Sequence, residues 1–145
     1  MALRLHGKCS WFGGPNDKGV APDEGLAFIY EIEMAPHLFL PFQPPDTTGL
    51  ARRLNPFVHF IACRWDYNVY SKERLLHEIA VVRAVKTQVI LAAFPSDWGP
   101  HSDTDRICDL SHGLMFDLGI ETDDEVEVLF PLSEIKPAAI RGPLV

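Results

Sequence analysis

The chain has 145 residues, 47% of them hydrophobic, and a formal charge of −7. That length and apolar content suit one domain with a sizeable core and exclude a disordered chain. The acidic balance excludes nucleic acid and anionic membrane surfaces as partners, because both need a basic face.

Twelve prolines and ten glycines imply many turns and favour a β-rich fold over a helical bundle. The three cysteines, Cys9, Cys63 and Cys108, lack zinc-ligand spacing, and the six histidines are scattered. The thiols read as reduced and structural, with a Cys9–Cys63 or Cys63–Cys108 disulfide left open. No metal site and no cofactor are expected. The opening MALRLHGKCS carries no long apolar stretch, so no signal peptide is read there. No apolar run reaches the ~20 residues of a membrane span. The expected location is therefore the cytoplasm, or outside it by lysis or a dedicated export route.

In chain order, Lys8 to Phe12 suits a short strand, and Gly13-Gly14-Pro15-Asn16-Asp17 a turn. Leu26 to Tyr30 is dense enough for a strand or a buried short helix, and its period does not decide between them. Residues 35–56 are proline-rich and predict a long loop insertion. Its Leu38, Phe39, Leu40 and Phe42 should pack down onto the fold. FVHFIACRW, residues 57–65, is apolar on both faces, as a barrel or sandwich strand would be. SKERLLH opens at Ser71 and suits one or two helical turns. EIAVVRAV and TQVILAAF are β-branched runs joined at Lys86 and predict a hairpin. A helix is predicted between Asp109 and Thr122, with Ser111 as N-cap, Leu114, Met115 and Leu118 as its apolar stripe, and Gly119 just past its end. The following DEVEVLF alternates, with Val126, Val128 and Phe130 on one face. No internal repeat stands out.

Between the apolar run and the helix lies SDWGPHSDTDRICDLS, with Asp97 and Asp109 on either side of a polar loop. The order of strand, Asp97-Trp98-Gly99-Pro100, Arg106-Ile107-Cys108-Asp109-Leu110-Ser111, helix, Leu118-Gly119 and Val126-x-Val128 resembles the rare-lipoprotein-A-like family, which includes the expansins. Those proteins carry D-R-G-P, then R-(I/V)-I-D-L-S, a helix ending in L-G and a V-x-V strand. The opening Gly7-x-x-Ser10-Trp11-Phe12-Gly13 is similar to the family's G-x-A-S-W-Y-G. The resemblance covers roughly residues 7–14 and 86–131. It implies a mainly β fold, a six-stranded double-psi β-barrel with one or two short helices, spanning residues 1–145 as a single domain.

The resemblance also implies a groove for polysaccharide, with peptidoglycan the substrate of the catalytic relatives. In these lytic transglycosylases an aspartate protonates the glycosidic oxygen. Carried over, the candidates are Asp97 and Asp109. A general acid needs a raised pKa, from burial or from a neighbouring like charge. Because a helix N-terminus favours a carboxylate, Asp109 is expected to be the ionised member and Asp97 the acid. Each also has a plainer role, Asp97 in a turn and Asp109 at the helix start. Ser10, Trp11, Trp98, His101 and Arg106 are the candidate substrate-binding residues. Trp11, Trp65 and Trp98 offer stacking faces, Trp11 and Trp65 also suit a core, and Trp98 stands where the family has Arg. His101 also reads as an exposed loop residue, and Arg106 as an ion-pair partner of Asp103, Asp105 or Asp109. The acidic run Glu121 to Glu125 reads as a solvated turn. Three functions follow: an enzyme cleaving cell-wall glycan by a lytic transglycosylase route, a non-catalytic module binding polysaccharide or a protein partner, or an interaction domain of an intracellular assembly.

Overall fold

The computed structural model of the chain describes residues 2–15, 17, 32–43, 54–136 and 140. Leu26 to Tyr30 lies outside them. Among the described residues six strands are present: β1 (Leu3–Trp11), β2 (Phe60–Cys63), β3 (Ala80–Ala84), β4 (Ile90–Trp98), β5 (Cys108–Leu110) and β6 (Glu125–Phe130). Two short helices, α1 (Lys72–Leu76) and α2 (His112–Leu118), precede β3 and β6. The strands close into a barrel in the order β1-β5-β2-β4-β3-β6. This is the expected mainly β, six-stranded barrel with two short helices.

Two neighbouring pairs, β1–β5 and β2–β4, are parallel, and the other four are antiparallel. Exchanging β1, β2 and β3 for β4, β5 and β6 leaves every pairing and its sense unchanged. The barrel therefore consists of two interlocked halves, the pattern meant by a double-psi barrel, each half placing one helix between its second and third strands. β1 and β4 are counterparts. Both run nine residues and both end on a tryptophan, Trp11 and Trp98. This two-fold relation is carried by pairing and is nearly silent in the sequence.

Local chemistry explains the elements. In β1 Leu3, Leu5, Gly7 and Cys9 alternate with the exposed Arg4, His6 and Lys8, the period-two pattern of a strand with one wet face. α2 starts at Ser111, whose hydroxyl accepts from the Leu114 N–H at 3.3 Å. It ends at Gly119, in the left-handed conformation, and the Ile120 N–H folds back onto the Met115 carbonyl. Leu114, Met115 and Leu118 are its buried stripe, as predicted. α1 is capped by Ser71 in the same way.

β1 starts at Leu3 and ends at Trp11, not at the expected Lys8 and Phe12, and three further expectations change. β4 does not stop at Phe94 but continues to Trp98, because a register shift opposite Ile61 and Ala62 absorbs one residue and keeps Asp97 and Trp98 in the ladder with β2. The strand read over 57–65 shrinks to Phe60–Cys63. Phe57 instead sits in a turn and is exposed. In the proline-rich stretch Leu38 and Phe39 pack into the core, with Phe39 bridged to Leu54, but Phe42 stands in solvent. The three cysteines are free and buried. No described helix is long and apolar enough to cross a membrane.

Candidate functional site

Cross-strand register places the candidate residues. Ser10 of β1 pairs with Asp109 of β5, Asp109 pairs with Ala62 of β2, and Ala62 pairs with Asp97 of β4. Partners in adjacent strands share a face, so Ser10, Asp109, Ala62 and Asp97 form one row. The neighbouring row, Cys9, Cys108 and Cys63, belongs to the hydrophobic core. Ala62 is buried in that core as well, whereas Ser10, Asp97 and Asp109 are half-buried. Asp97 and Asp109 are separated by one strand, about 10 Å between Cα atoms from two strand spacings.

The two aspartates do different work. The Asp97 carboxylate accepts the Trp98 N–H at 2.7 Å, and its carbonyl accepts the Trp65 indole N–H at 3.0 Å. Asp97 thus fixes the turn that presents Trp98. Asp109 is half-buried, and burial pushes its carboxyl from 3.8 up to about 6; Arg106 and Arg64 pull it back, and Asp17 adds to the rise. Burial therefore works against the ionised form that the helix start was expected to favour at Asp109. Asp109 sits on β5, two residues before the Ser111 cap, where loss of water outweighs any pull from the seven-residue helix α2. The like charge it feels comes from Asp17.

The sequence marks Asp17 only as a turn residue. It is 7% exposed, and its carboxylate accepts the Gly13 N–H at 2.8 Å, which holds it beneath the end of β1. Arg64 was missed altogether. It donates to the carbonyls of Pro100 and Arg106, both at 2.8 Å, and so ties both ends of the 100–106 loop beside Asp109. The one available signal for both was position: each follows the end of a strand that borders Asp109. Gly99 closes the site from the β4 side. Its φ of +144° is a conformation for glycine, and a Cβ there would come to 4.0 Å from the Asp109 carboxylate.

The remaining candidates spread around this centre. Arg106 pairs with Asp123, at 2.9 Å, and not with Asp103, Asp105 or Asp109. The reason is the turn before β6, where Asp123 adopts a positive φ and donates its N–H to the Cys9 carbonyl, beside the residues that β1 shares with β5. His101 is exposed and paired with Asp103 at 3.1 Å, away from the row. Trp65 is core, packed on Phe130. Trp11 and Trp98 are 39% and 43% exposed. Trp11 lies against His112 at 4.2 Å between ring centroids, and the Trp98 indole N–H donates to the Trp65 carbonyl at 3.1 Å. The two counterpart tryptophans are thus each partly exposed and braced at the end of their strand. Among the described residues no cluster of ligating side chains could hold a metal ion.

No protein-family model matches the chain, and a search of curated proteins finds no match.

Proposed function

We propose that the chain acts on cell-wall glycan, with peptidoglycan strands as substrate and Asp109 as the general acid of a lytic transglycosylase-like cleavage. The observation that carries this reading is the half-buried Asp109 carboxyl, raised to about 6 by burial. An acid with that pKa is largely protonated in mildly acidic solution and can return as a base once it has given its proton away. In the proposed step Asp109 protonates the glycosidic oxygen as the C–O bond breaks. The resulting carboxylate then takes the proton from a hydroxyl of the same sugar, whose oxygen closes onto the anomeric carbon. One carboxyl serves both halves and no water is consumed, so the roughly 10 Å between Asp97 and Asp109 is no obstacle. Trp11 and Trp98 would stack sugar rings on either side of the cut, Ser10 would hydrogen-bond beside Asp109, and Asp97 would orient Trp98.

The test is incubation of the protein with peptidoglycan sacculi and mass spectrometry for anhydro-muropeptides. Asp109→Asn should lose product by about 10²–10⁴-fold, the usual worth of a general acid, with pelleting on sacculi retained. Asp97→Asn should weaken binding more than turnover. Absence of product from the wild type would remove the enzymatic reading.

A second reading is a non-catalytic polysaccharide- or protein-binding module on the same barrel. It is favoured by Trp98, an exposed aromatic plane where the resembled family has a cation. Pelleting without product supports it. No pelleting leaves the interaction domain of an assembly.

A further inference from the structure

A groove of about 700 Å³ opens between α2, the end of β1 and the turn at 56–57. Its floor is apolar, with Met115 and Ile120 each 7% exposed. Three aromatic rings stand at its edge: Trp11, Phe57 at 84% exposed and Phe116 at 85%. Phe57 is held out in solvent by its surroundings. Its N–H donates to the Asn55 side chain at 3.0 Å, and the Pro56 carbonyl accepts the Gly113 N–H at 2.7 Å. A Cβ on Gly113 would meet the Phe57 carbonyl oxygen at 2.8 Å, so only glycine lets the turn seat this closely on α2. A large apolar ring fixed in water is unfavourable for the isolated chain, yet it lowers the ordering cost for whatever covers it.

The charges select the occupant. Asp117 and Glu121 line the groove and no Lys or Arg does among its lining residues; the acidic turn beyond it is already met by Arg106 at Asp123, Lys86 at Asp124 and His6 at Glu125. Asp117 is tied to His59 at 2.7 Å, whereas the Glu121 carboxylate has no ion pair among the described residues. A second copy would bring another acidic face and another −7 against this one. An anionic membrane is repelled in the same way. A glycan would find an apolar floor where its hydroxyls need partners.

We infer that this groove docks a polypeptide segment whose apolar side chains fill the floor and whose flanking Lys or Arg residues face Glu121 and Asp117. The surface lies across Trp11 from the acidic row and does not depend on any reaction there.

The test uses the full chain and a fluorescein-labelled peptide of leucine and lysine, patterned as an amphipathic helix, with a leucine–glutamate peptide as control. Anisotropy should show saturable binding of the lysine peptide alone, weakened at high salt. Phe57→Ala and Phe116→Ala should each weaken it about tenfold, as anchor positions do. Glu121→Gln should weaken it in low salt only. Circular dichroism checks that the variants fold, and sacculus pelleting should be unchanged in them, because neither phenylalanine lies on the acidic row. The inference is overturned if both peptides bind alike, if the two phenylalanine variants bind like wild type, or if sedimentation shows self-association that Phe116→Ala abolishes.

Discussion

A carboxyl that ionises near 6 in the folded chain and near 3.8 ordinarily holds its proton more tightly when folded. Its contribution to stability is therefore fully present below about 3.8 and is lost as the pH rises through about 6. The difference amounts to roughly 3 kcal/mol at neutral pH. Asp109→Asn removes the ionisation without changing the size of the side chain. The variant should be more stable than wild type above pH 6, by up to about 3 kcal/mol, and indistinguishable from it below pH 4. Urea unfolding at several pH values measures this. A variant that is less stable at neutral pH would mean that Asp109 serves the fold as a cap. The same ionisation predicts a pH profile: if Asp109 is the acid, kcat/KM on sacculi should fall as the pH rises through about 6. At this scale the sequence made the two aspartates visible as types and spacing. It ranked them only by the helix start, because the burial of Asp109 and the placing of Asp17 and Arg64 beside it come from the fold.

Elements were legible wherever a local signal specifies them. Ser71, Ser111 and Gly119 mark helix ends by their own backbone chemistry, and β6 shows its face by alternation. Where pairing decides, local signals fell short: β4 runs on to Trp98 because β2 offers it a ladder, and residues 57–59 lose the strand because the turn seats on α2. Ser111 shows how an element is tied to the barrel. Its buried hydroxyl accepts from the Leu114 N–H of its own helix and from the Phe60 N–H of β2, at 3.3 and 3.2 Å. Ser111→Ala removes a cap and leaves a buried strand N–H unpaired. It should cost about 2–3 kcal/mol in chemical denaturation, more than a cap alone. Gly113→Ala is a sharper case. On an isolated helix alanine would be favoured over glycine by up to about 1 kcal/mol. Here the new methyl meets carbonyl oxygens at 2.8 and 2.9 Å, both backbone. The substitution should destabilise by about 1–3 kcal/mol and quench binding in the groove, since the Phe57 turn must lift to make room.

For the molecule as a whole, closure of the sheet turns scattered residues into layers. Cys9, Cys63 and Cys108 lie 45 or more positions apart and look unrelated in the sequence. The parallel β1–β5 pair and the antiparallel β2–β5 pair put them side by side in one row inside the barrel. The same logic joins Trp11 to Trp98 as counterparts of two halves, although the sequence around them retains little more than a tryptophan before glycine and proline. Such relations are properties of pairing, and periodicity along one strand cannot reveal them. The thiol row offers a direct reading of how the barrel opens. Burial pushes Cys9 up to about 12 and raises Cys63 and Cys108 as well, so the reactive thiolate is scarce in the folded state. β5 lies between β1 and β2 in the closed sheet, so exposing its cysteine requires a ladder to break. Reaction with a coloured disulfide reagent at mildly alkaline pH should therefore be slow for all three thiols. It should accelerate with urea with the dependence of global unfolding, because no lesser opening exposes them. If one thiol reacts at a rate that urea leaves unchanged, the barrel opens locally at that strand. Cys9→Ser and Cys63→Ser would then identify which side of β5 parts first.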